Sequence, residues 1–507
     1  LALISFVFLA QSLLCQLTDT WVNDDLDNQK LKLRQLKADQ RFHAAIRPYA
    51  FTSIDTSEVQ VLPADKYVRS VGQRMALSPI IGIEAGLQNR SNADDLDIQM
   101  LGLLGLRSRL NAHSKFKIDL DVYAGIEPQN DLKRALLDSS DVIGGIGRGV
   151  ASGDALSTFG VNGMLSYSPS SIFTVQVGRS KHQFGHGYRS LLLGDGAAAY
   201  PFLKLNTKVW HLNYVNLFSW QQGVFDVLDD AAGFEDKFTS THILSWNITD
   251  RIDAQVFESI IWQGRDEFSN RGFDINYLNP VIFFRPVEFA TGSSDNAILG
   301  FGTSYRVPSG YHIYSQVVID EFLLARLREG NGWWANKFGT QIGVKSFDSF
   351  GVKDLFVQAE FNLTRPFTYS HGSPVQNYAH LNEPLAHPLG ANFYEALLIA
   401  SKPIGKIEWR NQLMYQQFGR DSDEGNLGGN IFRSYVNPEN QFGNFIGQGQ
   451  RFEEISNTLY GSYIFDRDTD FRLQLGYRFL YQFGDIPSNS RHMVSLGLRM
   501  NFRDPYR

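Results

Sequence analysis

The chain of 507 residues contains a single cysteine, Cys15. No disulfide framework can staple the rest, which excludes a small disulfide-rich secreted fold. Basic charge is not in excess either: 47 Lys and Arg stand against 53 Asp and Glu, for a net charge of -6. That balance removes the electrostatic basis for a nucleic-acid partner. Beyond residues 1–15, no apolar run approaches the roughly 20 residues a spanning helix requires. Gly-x-Ser-x-Gly elbows, His-Glu-x-x-His pairs and phosphate-binding loops are missing. An enzyme is therefore not indicated, and no cofactor is expected. His371, His380 and His387 share one connection, but their spacing fits no standard metal site, so they read as solvated loop histidines. Asp421, Asp423 and Glu424 do not complete a calcium loop. No metal ligands are assigned.

Glycine and aromatics are what the chain has in quantity: 45 Gly, 38 Phe and 13% aromatics overall. That mixture suits a large, many-turned all-β protein. Residues 1–15 (LALISFVFLAQSLLC) are apolar and uncharged and read as the hydrophobic region of a signal peptide cleaved after Cys15, with lipidation of Cys15 the alternative that Leu14 before it fits poorly. Residues 16–75 are expected to form a periplasmic N-terminal segment. Within it the charged stretch 24–46 carries Leu26, Leu31, Leu33, Leu36, Ala44 and Ile46 at loosely helical spacing. One or two helices are predicted there, on the periplasmic side or partly inside a barrel.

From residue 76 to 507 the pattern changes to alternation. Phe471, Leu473, Leu475, Tyr477 and Phe479 share one face, while Arg472, Gln474, Gly476 and Arg478 share the other. Val494, Leu496, Leu498 and Met500 oppose Ser495, Gly497 and Arg499 in the same way. Phe116, Ile118, Leu120 and Val122 oppose Lys117, Asp119 and Asp121, and Ile407, Trp409 and Leu413 oppose Glu408, Arg410 and Gln412. A period of two assigns each set to one face of a sheet. The segments are long for soluble strands, and their connections alternate between short turns and long loops at 127–156, 218–240, 264–295, 320–336, 363–392 and 420–454. Strict alternation of that kind belongs to outer-membrane barrels. Seventeen segments are readable, and parity demands another, best placed at 198–206, although 181–197 could also fold inward. The expectation is an all-β, transmembrane, antiparallel up-and-down barrel of about 18 strands, preceded by a short helical periplasmic segment.

Two tracts are denser in functional groups than a barrel needs. Residues 178–204 (GRSKHQFGHGYRSLLLGDGAAAYPFLK) gather Arg179, His182, His186, Tyr188 and Arg189 among glycines. They would line a lumen and bind a polyanion or sugar, or neutralise lumen carboxylates from an inward-folded loop. Residues 278–321 carry Asn279, Arg285, Glu288, Asp295 and Asn296, with Trp262 before them and Trp333 and Trp334 after. Aromatic rings beside amides and carboxylates are what carbohydrate sites use, though an interfacial aromatic belt would place tryptophans similarly.

The run GRSKHQFGHGYRSLLLGDGAAAYPFLKL resembles a stretch of the Wzi-like capsule-assembly barrels, in which a Gly-Arg strand end passes through an aromatic-Gly-x-Gly turn into an Ala-Pro-Phe-Leu-like segment. YLNPVIFFRPVEF, SDNAILGFGTSYRV and YSQVVIDEF resemble that family's Asn-Pro segment, Asp-Asn strand start and Asp-Glu-Phe strand end. RFHAAIRPY looks like the Bacteroidetes branch, which includes RemB-type gliding-motility proteins. Phe184 stands at the aromatic position of the turn, and the N-terminal segment is short for a three-helix bundle. The resemblance implies a non-enzymatic outer-membrane barrel that holds or organises surface polysaccharide. An accessory role in a gliding or adhesin-export apparatus is the alternative, and a diffusion porin the weaker third. The partners implied are outer-membrane lipid and lipopolysaccharide, surface polysaccharide, and envelope or gliding-machinery proteins.

Overall fold

The computed structural model describes residues 42–48, 75–90, 97–113, 115–128, 142–152, 155–226, 232–265, 270–279, 295–422, 425–467 and 469–502. Among these, eighteen long strands close into one antiparallel barrel. In chain order they are β1 (Met75–Arg90), β2 (Asp97–His113), β3 (Phe116–Pro128), β4 (Ala155–Tyr167), β5 (Phe173–Ser180) and β6 (Tyr200–Val209). Next come β7 (Leu212–Asp226), β8 (Ala232–Asn247), β9 (Ile252–Gln263), β10 (Asn296–Arg306), β11 (Tyr311–Ile319) and β12 (Phe338–Ser346). The last six are β13 (Phe356–Thr364), β14 (Phe393–Ile404), β15 (Ile407–Arg420), β16 (Gln450–Asp466), β17 (Phe471–Gly484) and β18 (Asn489–Met500). Each pairs with its chain neighbour, and β18 closes on β1 from Ile81↔Met500 to Arg90↔Arg491. Closure leaves no edge strand with unpaired backbone groups, the condition for crossing a bilayer with strands.

The faces follow the alternation. Leu475 is 57% exposed and Leu496 53% exposed on the outside of the wall. Between them in the pleat, Gln474 and Ser495 are buried towards the lumen. On β3 the outward Ile118 and Leu120 are exposed, while Lys117, Asp119 and Asp121 turn inward and are buried. Lys117 and Asp119 pair at 3.2 Å, and Asp121 takes Arg107 of β2 at 2.9 Å. No helix among the described residues is long and apolar enough to cross a membrane.

Long connections gather at one end of the barrel and tight turns at the other, where β1 begins and β18 ends. One expected loop is corrected: 218–240 is mostly strand. β7 and β8 pair from Leu212↔Trp246 to Asp226↔Ala232. The alternation fades there because Phe218, Ser219, Phe238 and Ser240 are buried on both faces. A strand covered on both sides loses its period-two signal. The strand expected at 198–206 exists as Tyr200–Val209 and turns at Trp210, whose backbone is left-handed (φ 54°), into β7. Val209 faces Leu212, so Trp210 and His211 make the turn from β6 to β7.

Most of the helix expected at 24–46 lies outside the described residues. Its last part, with the residues just beyond it, is not helical. Residues 42–48 are buried, and Ile46–Arg47 pairs as a short strand with Gln183–Phe184. Phe42 O accepts from the Asn247 amide of β8 at 3.4 Å. His43 Nδ1 lies 2.9 Å from Ser245 Oγ on the same strand. Backbone partners inside the lumen replace the internal bonds a helix would have made.

Candidate functional site: a filled lumen under an external cap

Residues 181–199 leave the loop end of β5 and fold into the lumen, as one of the two sequence expectations allowed. Leu191, Leu192 and Phe184 are fully buried in a cluster that includes the inward-facing Val215, Leu217, Ile243, Phe257, Ile261 and Val318 of the wall. Removing that much apolar surface from water is the main driving force for docking the segment. Polar anchors then fix its path. Glu360 of β13 accepts the backbone N–H groups of Tyr188 at 2.8 Å and Arg189 at 3.0 Å. Gln316 of β11 accepts from Leu191 N at 2.9 Å and donates to Phe184 O at 3.0 Å. The hydroxyls of Tyr369 and Tyr378 donate to the carbonyls of Leu191 and Leu192 at 2.7 and 2.8 Å. At Gly187 a Cβ would lie 2.5 Å from Arg189 O and 2.6 Å from Glu360, so the turn has no room for a side chain.

The predicted residues of the first tract are therefore together, but they face the protein. Arg189 Nε lies 3.5 Å from Glu395, and His186 Nε2 lies 2.9 Å from Asp253. Tyr188 is buried and its hydroxyl reaches Gln412 at 3.4 Å. His182 lies against the rings of Tyr200 and Phe202, at centroid distances of 5.7 and 4.5 Å. Burial and the Lys204 ammonium hold its imidazole well below the usual histidine range. Arg179 donates to Val161 O at 3.3 Å. Arg189 and His186 thus face lumen carboxylates from an inward-folded segment.

The second tract divides. Arg285 and Glu288 lie outside the described residues. Asp295 accepts both Arg271 Nη1 (2.8 Å) and the Tyr277 hydroxyl (2.6 Å), and Asn296 donates to Gln376 O at 2.9 Å. These bonds tie the loop before β10 to the loop 365–392. Asn279 is half-buried at the end of a short 3₁₀ turn, Ile275–Leu278. Trp262 is corrected from an exposed sugar-stacking candidate to a fully buried one. Its indole donates to Gly272 O at 3.1 Å, and its ring stacks on Phe238 at 5.7 Å. The chain after β9 folds back over it with Phe273 and Tyr277, which is why a tryptophan near a strand end is covered.

The histidines of 365–392 are also corrected: His380 and His387 are buried, and His371 is half-buried. Burial lowers His380 to about 3 and His371 to about 4. His387 Nε2 lies 2.8 Å from Glu395, which also takes the Gln416 amide at 2.6 Å. Glu383 accepts from Gly145 N at 2.5 Å and Ala198 N at 2.9 Å, joining three loops, and burial raises it to about 7. The connections 320–337, 365–392 and 425–449 bond one another, through Tyr369 N to Asp320, Trp334 N to Gln441 O and Phe367 N to Gly428 O, and form a cap over the inward segment.

Trp333 and Trp334 sit in that cap, both half-buried. Trp333 O accepts from Arg365 at 3.3 Å, and Trp334 N donates to Gln441 O at 3.1 Å. The Trp334 ring meets Tyr435 at 5.3 Å and Phe367 at 5.6 Å. Lys337 Nζ lies 4.2 Å from the Tyr435 ring centre and pairs with Asp320 at 3.4 Å. Burial raises Asp320 to about 6 despite that lysine. Phe442 and Phe445 are exposed nearby, among Asn440, Gln441 and Glu439. A short helix α1 (Leu324–Glu329) adds Arg326, whose guanidinium lies 5.8 Å from the Phe442 ring centre.

The sequence did not single out Tyr435, Phe442 and Phe445, because single aromatics in a long polar loop carry no period. Nor did it single out Glu360 and Glu395. Their positions among Gln358, Asn362 and Thr364 mark an inward polar face, but nothing in the sequence names the segment they hold.

A closed barrel, apolar outside, filled inside and capped at its long-loop end, is an outer-membrane-type β-barrel. No known family's sequence profile matches the chain, and no curated protein matches it in sequence. Among solved structures it is similar to Wzi of Escherichia coli, an outer-membrane protein involved in group 1 capsule assembly and described as a carbohydrate-binding β-barrel. That likeness has a TM-score of 0.55 at 12% identity and covers 94% of this chain and 98% of the other. Pseudomonas aeruginosa OprD aligns with a TM-score of 0.42 at 8% identity, over 85% of this chain and 95% of that one. Acinetobacter baumannii OccAB4 gives 0.42 at 9%, over 85% and 99%.

Proposed function

We propose that this protein is a non-enzymatic outer-membrane barrel that binds or organises surface polysaccharide through its external cap. The observation that carries the proposal is the pairing of a filled lumen with a cap whose half-buried and exposed rings (Trp333, Trp334, Tyr435, Phe442, Phe445) stand among amide and charged groups. Rings cover the apolar C–H faces of sugars while amides and carboxylates take hydroxyls. The Wzi likeness in fold supports the same direction. In this reading the outer wall meets membrane lipid and lipopolysaccharide.

The test is retention of detergent-folded protein on polysaccharide extracted from the surface of its own cells, with an unrelated outer-membrane barrel as control. Saturable retention is expected, weakened about tenfold in a Trp333→Ala/Trp334→Ala variant, corresponding to about 1.4 kcal/mol. Retention no better than the control overturns the proposal.

One observation favours a protein partner instead. Phe322, Leu323, Leu324 and Leu327 expose apolar surface on and beside α1. On that reading the protein is an accessory part of a gliding or adhesin-export apparatus, and envelope proteins co-purify with it until Leu324 and Leu327 are changed to Ser.

A further inference from the structure

We propose that His186, Asp253 and His312 form a divalent transition-metal site of the zinc class, which fastens the tip of the inward segment to the barrel wall. His186 lies in the Gly185–His186–Gly187 turn, where residues 181–199 reach towards the tight-turn end of the barrel. Asp253 and His312 are the second residues of β9 and β11, on wall positions next to that end. One ligand atom from each lies within 4.8 Å of the others, and all three residues are buried. His186 Nε2 is 2.9 Å from Asp253 Oδ1, and the two imidazole rings meet edge-on at 4.9 Å.

The donor set selects the ion. Two imidazole nitrogens and one carboxylate oxygen are a three-ligand zinc set with a fourth position for water. Calcium and magnesium prefer all-oxygen shells, so neither suits it. The surroundings also resemble an outer shell that orients ligands. Ser304 donates its hydroxyl to Asp253 Oδ2, while Oδ1 faces His186 Nε2. Gln255 donates to Oδ1 at 2.5 Å. Lys345 of β12 donates to the His186 carbonyl at 2.7 Å and fixes the turn that presents the ring.

An ion held this way links three elements far apart in the chain and stabilises the state in which the segment is docked. The site does not depend on what the cap binds. It was invisible to motif reading because no two of its ligands are near neighbours in sequence.

The experiment uses full-length, detergent-folded protein stripped with a chelator, desalted and titrated with zinc chloride, with calcium and magnesium chloride in parallel. Bound metal is measured by mass spectrometry, and hydrogen exchange of residues 183–193 is followed in the same samples. One zinc per chain is expected, with neither alkaline-earth ion retained, and exchange of 183–193 is expected to slow. His312→Ala should weaken zinc binding at least 100-fold while the barrel keeps its folded gel mobility. His371→Ala, in the cap, should leave zinc binding unchanged. Absence of retained zinc, or zinc binding that survives in a His186→Ala/His312→Ala variant, overturns the proposal and leaves the cluster as a hydrogen-bonded anchor only.

Discussion

Two sectors of the barrel wall solve different problems. Strands β6 to β14 face the inward segment, and there apolar Val215, Leu217, Ile243, Phe257 and Ile261 are buried on the lumen side. Charges in that sector, Glu360 and Glu395, are buried and take several donors each. Strands β15 to β18 with β1 carry charged residues inward that keep partial exposure: Glu408, Arg410, Arg472, Arg499 and Glu84, with Arg478 exposed. Arg499 bonds Glu84, and Arg472 lies 3.5 Å from Glu408. A wall that meets protein can be apolar and must satisfy every buried charge; a wall that meets water can hold ion pairs that matter little to stability.

The largest test of that contrast is Glu360→Ala against Arg499→Ala. Glu360 accepts from Tyr188 N, Arg189 N, the Tyr314 hydroxyl and the Asn362 amide. Its truncation strands several buried donors, and we expect docking of 181–199 to weaken by about 4 kcal/mol. Hydrogen exchange at 183–193 should then quicken more than 100-fold. Arg499→Ala, in the other sector, should leave those amides unchanged. Equal effects from the two variants would erase the distinction.

A smaller effect is expected at Glu383, where the cap meets the filled lumen. Its carboxyl sits at about 7 in the folded protein, raised by burial, against about 4.3 for a free glutamate. A raised carboxyl means the folded state holds its proton more tightly, so this group contributes most at low pH. The contribution falls as pH rises from the free value through 7. His380, lowered to about 3, has the opposite tendency below pH 6.5, so wild type must be compared with Glu383→Gln at each pH. Between pH 5 and pH 8 the protection of residues 379–385 in wild type should fall relative to Glu383→Gln, whose neutral side chain mimics the protonated carboxyl. A wild type that gains protection relative to the variant over that range would reverse the assigned sign.

The same contrast explains what could be read from the sequence. β17 and β18 alternate cleanly because one face meets lipid-like surroundings and the other water, so Leu475 and Arg478 announce their sides. β7 and β8 were misjudged because protein covers both faces near their long-loop ends, and Trp220, Gln221 and Gln222 then follow no period. The inward course of 181–199 was legible as one of two options from its glycines and parity. The buried state of Trp262 and His387 was not, since it depends on distant loops folding back. Arg189, His186 and Asp295 were chosen for their chemistry, and the structure uses that chemistry to hold loops together.

The central claim is that residues 181–199 fold into the lumen beneath a cap, which makes the external surface the working surface. Planar-bilayer conductance tests it most directly. Wild-type protein should insert without steady porin-scale conductance, and Glu360→Ala should open in steps. Steady conductance of the same size in wild type and variant would contradict the account.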